Sequence, residues 1–195
     1  MMDKVDGLRI GNDLNYHLIE MWRALQSGWV PPDSISEDEY KYLKSAQDIE
    51  DPALVAFAGF CCSFNCKWFG SYAKNKRGDN YAKQSKNGIL KQLPKMIGVE
   101  LYNLDYRELV IPDGSIIYCD PPYRGTAGYM HGLDHEDFWD WCRYMALIKR
   151  HKVYISEYNA PPDFRCILEL DHYTTLTKTN KDKRVEKLFI FNEFY

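Results

Sequence analysis

Asp120-Pro121-Pro122-Tyr123 follows the apolar run Ile116-Ile117-Tyr118-Cys119 and leads into Arg124-Gly125-Thr126-Ala127-Gly128. Apolar residues that give way to an acid, two prolines and a glycine-containing stretch make a loop at a strand end. Consecutive prolines fix φ and remove two backbone donors, so the segment can neither extend a strand nor form helix interior. A carboxylate, prolyl carbonyls and a phenol are thereby held in one stiff arrangement. That set suits a planar ring bearing an amino group: the carboxylate and a carbonyl can accept the two amine hydrogens while the tyrosine face stacks on the ring. As purely structural residues, the same four would be a proline turn closing a buried strand.

The elements that must position this loop follow from periodicity. Leu8-Arg9-Ile10 reads as a short strand end. A helix comes next, with apolar residues at Leu14, Leu18, Met21, Trp22 and Leu25, and with Asp13 at its N-terminus. Gly28 to Asp33 breaks it, Ser36 to Ala46 is an acidic helix, and Ala53 to Phe60 is a second apolar stretch. A further helix is expected from Ala82 to Met96 with Ile89, Leu90, Leu93 and Met96 on one face, then a strand at Val99 to Tyr102. Asp113-Gly114 turns the chain into the strand Ser115 to Cys119. After the Pro-Pro loop, Asp134 caps a helix that presents Phe138, Trp141, Cys142, Met145 and Ile148. Val153 to Ser156 and Lys187 to Phe194 are the last strands. Alternating strands and helices imply an α/β fold with a mainly parallel sheet and sites at the carboxyl ends of strands.

At 195 residues the chain is one domain, or one domain with a sizeable insertion. No run of eighteen apolar residues occurs, and Met1 to Asp6 lacks the order of a signal peptide, so a cytoplasmic protein with no membrane partner is expected. The six cysteines show no paired Cys-x-x-Cys spacing, and His131 with His135 is the one i,i+4 histidine pair, so neither a disulfide framework nor a metal is expected. The formal charge of -3 conceals segregation. Between Lys67 and Lys95 the basic residues are Lys67, Lys74, Lys76, Arg77, Lys83, Lys86, Lys91 and Lys95, against Asp79 alone. A second cluster comprises Lys178, Lys181, Lys183, Arg184 and Lys187. A polyanion partner and a plain solvated face are both compatible with this pattern.

Around Ile117-Tyr118-Cys119-Asp120-Pro121-Pro122-Tyr123 the chain resembles the Dam-type adenine-specific DNA methyltransferases, phage-borne members included. Asn103-Leu104-Asp105-Tyr106 is similar to the family's Asp-aromatic motif, and Gly11-Asn12-Asp13-Leu14-Asn15 to its acidic strand-end motif. Ser63-Phe64-Asn65-Cys66-Lys67-Trp68-Phe69-Gly70-Ser71-Tyr72 resembles an aromatic and basic segment of the DNA-recognition insertion, and Arg184 to Leu188 the start of a final strand. The resemblance implies a Rossmann-like sheet of the methyltransferase type. Its catalytic domain would be formed by residues 1–29 and 98–195, with a helical target-recognition insertion at 30–97.

S-adenosylmethionine is the implied cofactor, held by Asp13, Asp105 and Tyr106, and double-stranded DNA is the implied partner. Lys67, Trp68, Tyr72, Lys74 and Arg77 would lie against the DNA, with the three basic residues on phosphates. Asp120, Pro121, Pro122 and Tyr123 would hold the amino group of a flipped adenine. The family's Phe-x-Gly-x-Gly loop has no counterpart before Asp13, so the first strand is expected to be missing, with an upstream segment or a partner chain completing the cofactor site. Two alternatives stay open at this point: a catalytically inactive DNA-binding remnant, and a methyltransferase acting on RNA or a protein amide.

Overall fold

A computed structural model describes residues 7–124, 132–173 and 183–192. The glycine-containing stretch 125–128, His131, Lys178 and Lys181 lie outside the described residues. The chain forms two compact units, Met1–Leu109 and Val110–Tyr195.

The first unit is a two-stranded parallel sheet with helices between its strands. β1 (Arg9–Asn12) pairs with β2 (Val99–Tyr102) from Arg9↔Val99 to Asn12↔Tyr102. α1 spans Tyr16–Gln26, and its N-cap is Asn15, whose side chain accepts the Leu18 N–H at 2.9 Å. Asp13, expected at that cap, sits two residues earlier and accepts the Asn15 N–H at 2.7 Å. Asn15 wins the position because its carbonyl oxygen reaches N3 while Asp13 is still tied to the sheet.

α2 (Glu37–Ser45) opens with a reciprocal capping box between Ser36 and Glu39, and α3 (Pro52–Ala56) with Asp51 as cap and Pro52 in the first turn. α4 (Tyr81–Met96) is capped by Asn80. Ala82, Ile89 and Leu93 of α4 pack on a core built from Met21 and Leu25 of α1, Tyr40 and Leu43 of α2, and Val55 and Phe57. Residues 30–97 thus supply α2, α3 and α4, and these share one core with α1.

The second unit is a mixed four-stranded sheet in the order β3-β4-β6-β5. β3 (Ile116–Cys119) and β4 (Lys152–Glu157) are parallel, as sequence reasoning expects of most of the sheet. β6 (Lys183–Phe191), however, runs antiparallel to both β4 and β5 (Phe164–Tyr173). β5 has no forerunner in the sequence analysis. A bulge between Cys166 and Leu168 breaks its apolar alternation, and Ile167, Leu168 and Leu170 stay exposed, so no clean period of two survives.

α5 (His135–Leu147) starts at the expected cap, Asp134, which accepts the N–H groups of Glu136 and Asp137. Its buried face includes Trp139, whereas Ile148 is 68 % exposed, because α5 packs on the unforeseen strand: the Trp139 ring lies 4.7 Å from Phe164. Arg143 makes a two-pronged ion pair with Asp163 just before β5, its Nη2 donating at 2.9 Å. The α/β architecture with parallel sheet elements and, among the described residues, five α-helices is consistent with a methyltransferase fold. No helix among the described residues is long and apolar enough to cross a membrane.

Candidate active site

In the second unit, β3 delivers Asp120 at its carboxyl end and the prolines carry the chain on to Tyr123. The neighbouring parallel strand β4 ends beside it with Ser156 and Glu157, Tyr158 follows, and these three hold the loop. The Tyr123 hydroxyl hydrogen-bonds Ser156 Oγ at 2.7 Å. The Arg124 N–H donates to Glu157 Oε2 at 3.1 Å, and the Tyr158 N–H to Glu157 Oε1 at 2.7 Å. The Tyr158 and Tyr123 rings meet edge to face, 4.6 Å between centroids and 73° between planes. Tyr123 is therefore fixed at its oxygen, along its ring and at the peptide that follows it.

The electrostatics follow from this packing. Asp120 keeps contact with solvent, yet the protein crowding its carboxyl pushes its pKa up, and nearby Glu186 of β6 adds to the rise, while a hydrogen bond with Tyr123 works against it. Burial pushes the Tyr123 phenol up to about 12, with the Asp120 and Glu186 carboxylates adding to the rise against the Ser156 hydrogen bond. Tyr123 is a neutral phenol across the working range. Asp120 is the acceptor of the set.

In the first unit, the loops after β1 and β2 carry Asp13 and Asp105. Side chains stitch these loops together beyond the last strand pair. Asn12 donates through Nδ2 to the Leu104 carbonyl at 2.9 Å and accepts the Leu104 N–H at 3.1 Å, so one side-chain amide satisfies both main-chain groups of Leu104. Asn103 Nδ2 donates to the Asp13 carbonyl at 2.9 Å, and the Asp13 N–H reaches the Tyr102 carbonyl at 3.3 Å. Asp105 accepts from the Arg107 backbone N–H at 2.9 Å, from Nε at 2.8 Å and from Nη2 at 2.7 Å. This pairing holds the Asp105 carboxyl at about 2. The Arg107 guanidinium also stands 5.4 Å from the Tyr106 ring centroid. The Asp13 carboxyl moves the other way, raised by crowding and opposed by the Asn15 N–H.

The basic and aromatic segment forms a stiff loop in the same unit. A bridge between Ser63 and Tyr72 closes it, and Asn65, Cys66 and Phe69 adopt φ of 55°, 53° and 40°. Its base rests on buried Ser63, whose hydroxyl meets the Tyr40 hydroxyl at 2.6 Å and donates to the Gly59 carbonyl at 2.7 Å. Lys67 and Arg77 are exposed. Trp68 is half-buried among Phe60, Phe69 and His17, and a Cβ on Gly59 would lie 2.7 Å from its ring. Tyr72 donates to the Ile35 carbonyl at 2.6 Å, and Lys74 pairs with Glu37 at 2.8 Å. Trp68 and Tyr72 are thus packed, with Lys67 beside them outward.

Several residues that carry this geometry escape sequence reasoning: Asn12, Arg107, Ser156, Glu157, Tyr158 and Glu186. The signal that could have found the first is an amide at a strand end beside an acid, in Gly-Asn-Asp as in Asn-Leu-Asp. For the trio, it is three consecutive polar residues directly after the apolar strand Val153-Tyr154-Ile155.

Comparison with known proteins bears on the same loop. A search of curated proteins finds no match. The model of the D12 class N6 adenine-specific DNA methyltransferases matches residues 8–143, a span that takes in Asp13, Asp105 and the whole Asp-Pro-Pro-Tyr loop but stops before Ser156. With well over half of its length matched, and with the stiff acidic loop inside that match, this chain belongs to the D12 class N6 adenine-specific DNA methyltransferase family.

Proposed function

We propose that this protein transfers a methyl group from S-adenosylmethionine to the exocyclic amino group of adenine within a specific sequence of double-stranded DNA, in the cytoplasm. The observation that carries the reading is the Asp120–Tyr123 loop, fixed by the end of β4 with one acceptor carboxylate and one neutral aromatic ring. The target adenine leaves the duplex, since its amino group is otherwise paired, and stacks on Tyr123. Asp120 accepts a hydrogen bond from the amine, and a prolyl carbonyl of the loop accepts the second. The nitrogen lone pair is thereby turned out of the ring plane toward the methyl group. Alignment of this kind supplies several kcal/mol of the barrier, on the order of the effective-molarity gains of well-oriented reactions.

S-adenosylmethionine, when bound, supplies an electrophilic methyl group. The residues of the first unit fit it by chemistry: Asp13 and Asp105 are acceptors at the ends of adjacent parallel strands, suited to ribose hydroxyls and an adenine amine, with the Tyr106 ring next to Asp105. Residues 30–97 act as the target-recognition insertion on this reading. Lys67, Lys74 and Arg77 contact phosphates, and Trp68 and Tyr72 shape the loop that presents them.

Methyl incorporation from labelled S-adenosylmethionine into duplex DNA, with digestion to nucleosides, tests the proposal. Label is expected in N6-methyladenine, and Asp120→Ala is expected to lower the rate by at least ~100-fold. Label found in another nucleoside, or undiminished with Asp120→Ala, sinks it.

A further inference from the structure

Pro121 and Pro122 give the loop after β3 its shape but deprive it of the N–H groups that would seat it on the sheet. Between Asp120 and Arg124 only Tyr123 retains a backbone donor. Placement must therefore come from outside the loop, and the Arg124 N–H finds its acceptor on Glu157, 33 residues away in sequence. Glu157 is 3 % exposed, at the last position of β4. Acidic side chains are rarely so buried, because an apolar residue fills such a place at less cost in desolvation. Here both carboxylate oxygens accept main-chain N–H groups, one from Arg124 and one from Tyr158. One side chain thus ties the exit of the acidic loop to the peptide that carries the ring packed edge-on against Tyr123.

We propose that Glu157 is a positioning residue of the methyl-transfer site: it locks the loop after β3 to the end of β4 and so sets the plane of the Tyr123 ring and the location of Asp120. Glu157 lies beyond the span matched by the family model. Its catalytic consequence rests on the methyltransferase reading, whereas its grip on the loop does not. Shifts of about 1 Å at a reacting group lower rates by about 100-fold, so loss of the tie is a defect of turnover and not of cofactor binding.

The test compares the full-length wild type with Glu157→Leu and Glu157→Gln. Amide hydrogen exchange reads the lock directly: the Arg124 and Tyr158 amides are both expected to exchange at least ~10-fold faster in Glu157→Leu, and one of the two in Glu157→Gln, with the β5 and β6 amides unchanged. Methyl transfer reads the consequence. kcat is expected to fall ~100-fold in Glu157→Leu and less in Glu157→Gln, which keeps one acceptor oxygen. KM for S-adenosylmethionine is expected to stay within about twofold of wild type. If Glu157→Leu fails to fold, Glu157→Gln carries both readouts. Unchanged exchange at Arg124 in Glu157→Leu, unchanged exchange at both amides in Glu157→Gln, or a change confined to KM, overturns the proposal. A wild type without methyl transfer to adenine would refute the proposed function, and the exchange rates would still decide whether Glu157 holds the loop.

Discussion

Asp120 must be ionised to accept hydrogens from an amine, and its surroundings resist ionisation. Crowding raises its pKa first, and the Glu186 carboxylate second. On the proposed mechanism protonation removes the acceptor, so turnover is expected to fall as pH drops through this raised pKa. The acid limb of the kcat profile is expected above about 4, the ordinary carboxylate value. Glu186→Gln removes the like charge and is expected to move that limb to lower pH, measured as kcat against pH at saturating DNA and cofactor. A limb that stays in place would mean that crowding alone sets it. That Asp120 and Tyr123 stand in a stiff loop at a strand end was legible in the sequence, because two prolines beside an acid are conspicuous. Ser156, Glu157 and Tyr158 were not, since only the pairing of Cys119 with Ile155 brings the end of β4 beside the loop.

At the level of elements, side chains extend the β1–β2 pair past its last backbone rung and so fix the loops that bear Asp13 and Asp105. Asn12 does this with one donor and one acceptor. In Asn12→Asp the donor becomes a second acceptor facing the Leu104 carbonyl. The exchange is expected to cost about 1–3 kcal/mol of stability in urea unfolding and to weaken S-adenosylmethionine binding several-fold by calorimetry. Unchanged cofactor affinity with lowered stability would confine Asn12 to a folding role. Most elements were readable from caps and periods: Ser36 and Asp134 each mark a helix start that the structure confirms, and the apolar period from Ala82 to Met96 marks α4, whose cap is Asn80. Phe138, Cys142 and Met145 of α5 are buried as their spacing predicts, but β5 was hidden by its bulge and Trp139 with it, because Trp139 faces a strand that the pattern did not reveal.

For the molecule as a whole, a formal charge of -3 is no obstacle to DNA, because local lysines and arginines release counterions whatever the total. Not every basic residue counts equally, however. Lys74 is already paired with Glu37 and Lys86 with Asp33, whereas Lys67 and Arg77 are exposed. Duplex binding followed by fluorescence anisotropy across a salt series should therefore lose about two units of log-log slope in the Lys67→Ala, Arg77→Ala double variant. Lys74→Ala should change the slope by less than one. Equal slopes for wild type and double variant would place the DNA elsewhere. The charge segregation was visible in the sequence, but which charges are already neutralised depends on acidic residues 37 and 53 positions away.

The Asn12 amide carries a further consequence, for error. Strands pair by a backbone pattern that every residue shares, so a short parallel pair of four rungs depends on side chains, Arg9 and Asn103 as well as Asn12, to stop it sliding by one place. Sliding β1 by one residue would bring Gly11 or Asp13 opposite Leu104. Gly11 offers no side chain there, and Asp13 can accept but not donate. Only Asn12 completes both bonds, so one side chain acts as a checksum on the alignment of the whole pair, rejecting the misaligned forms that would put both acidic residues out of place.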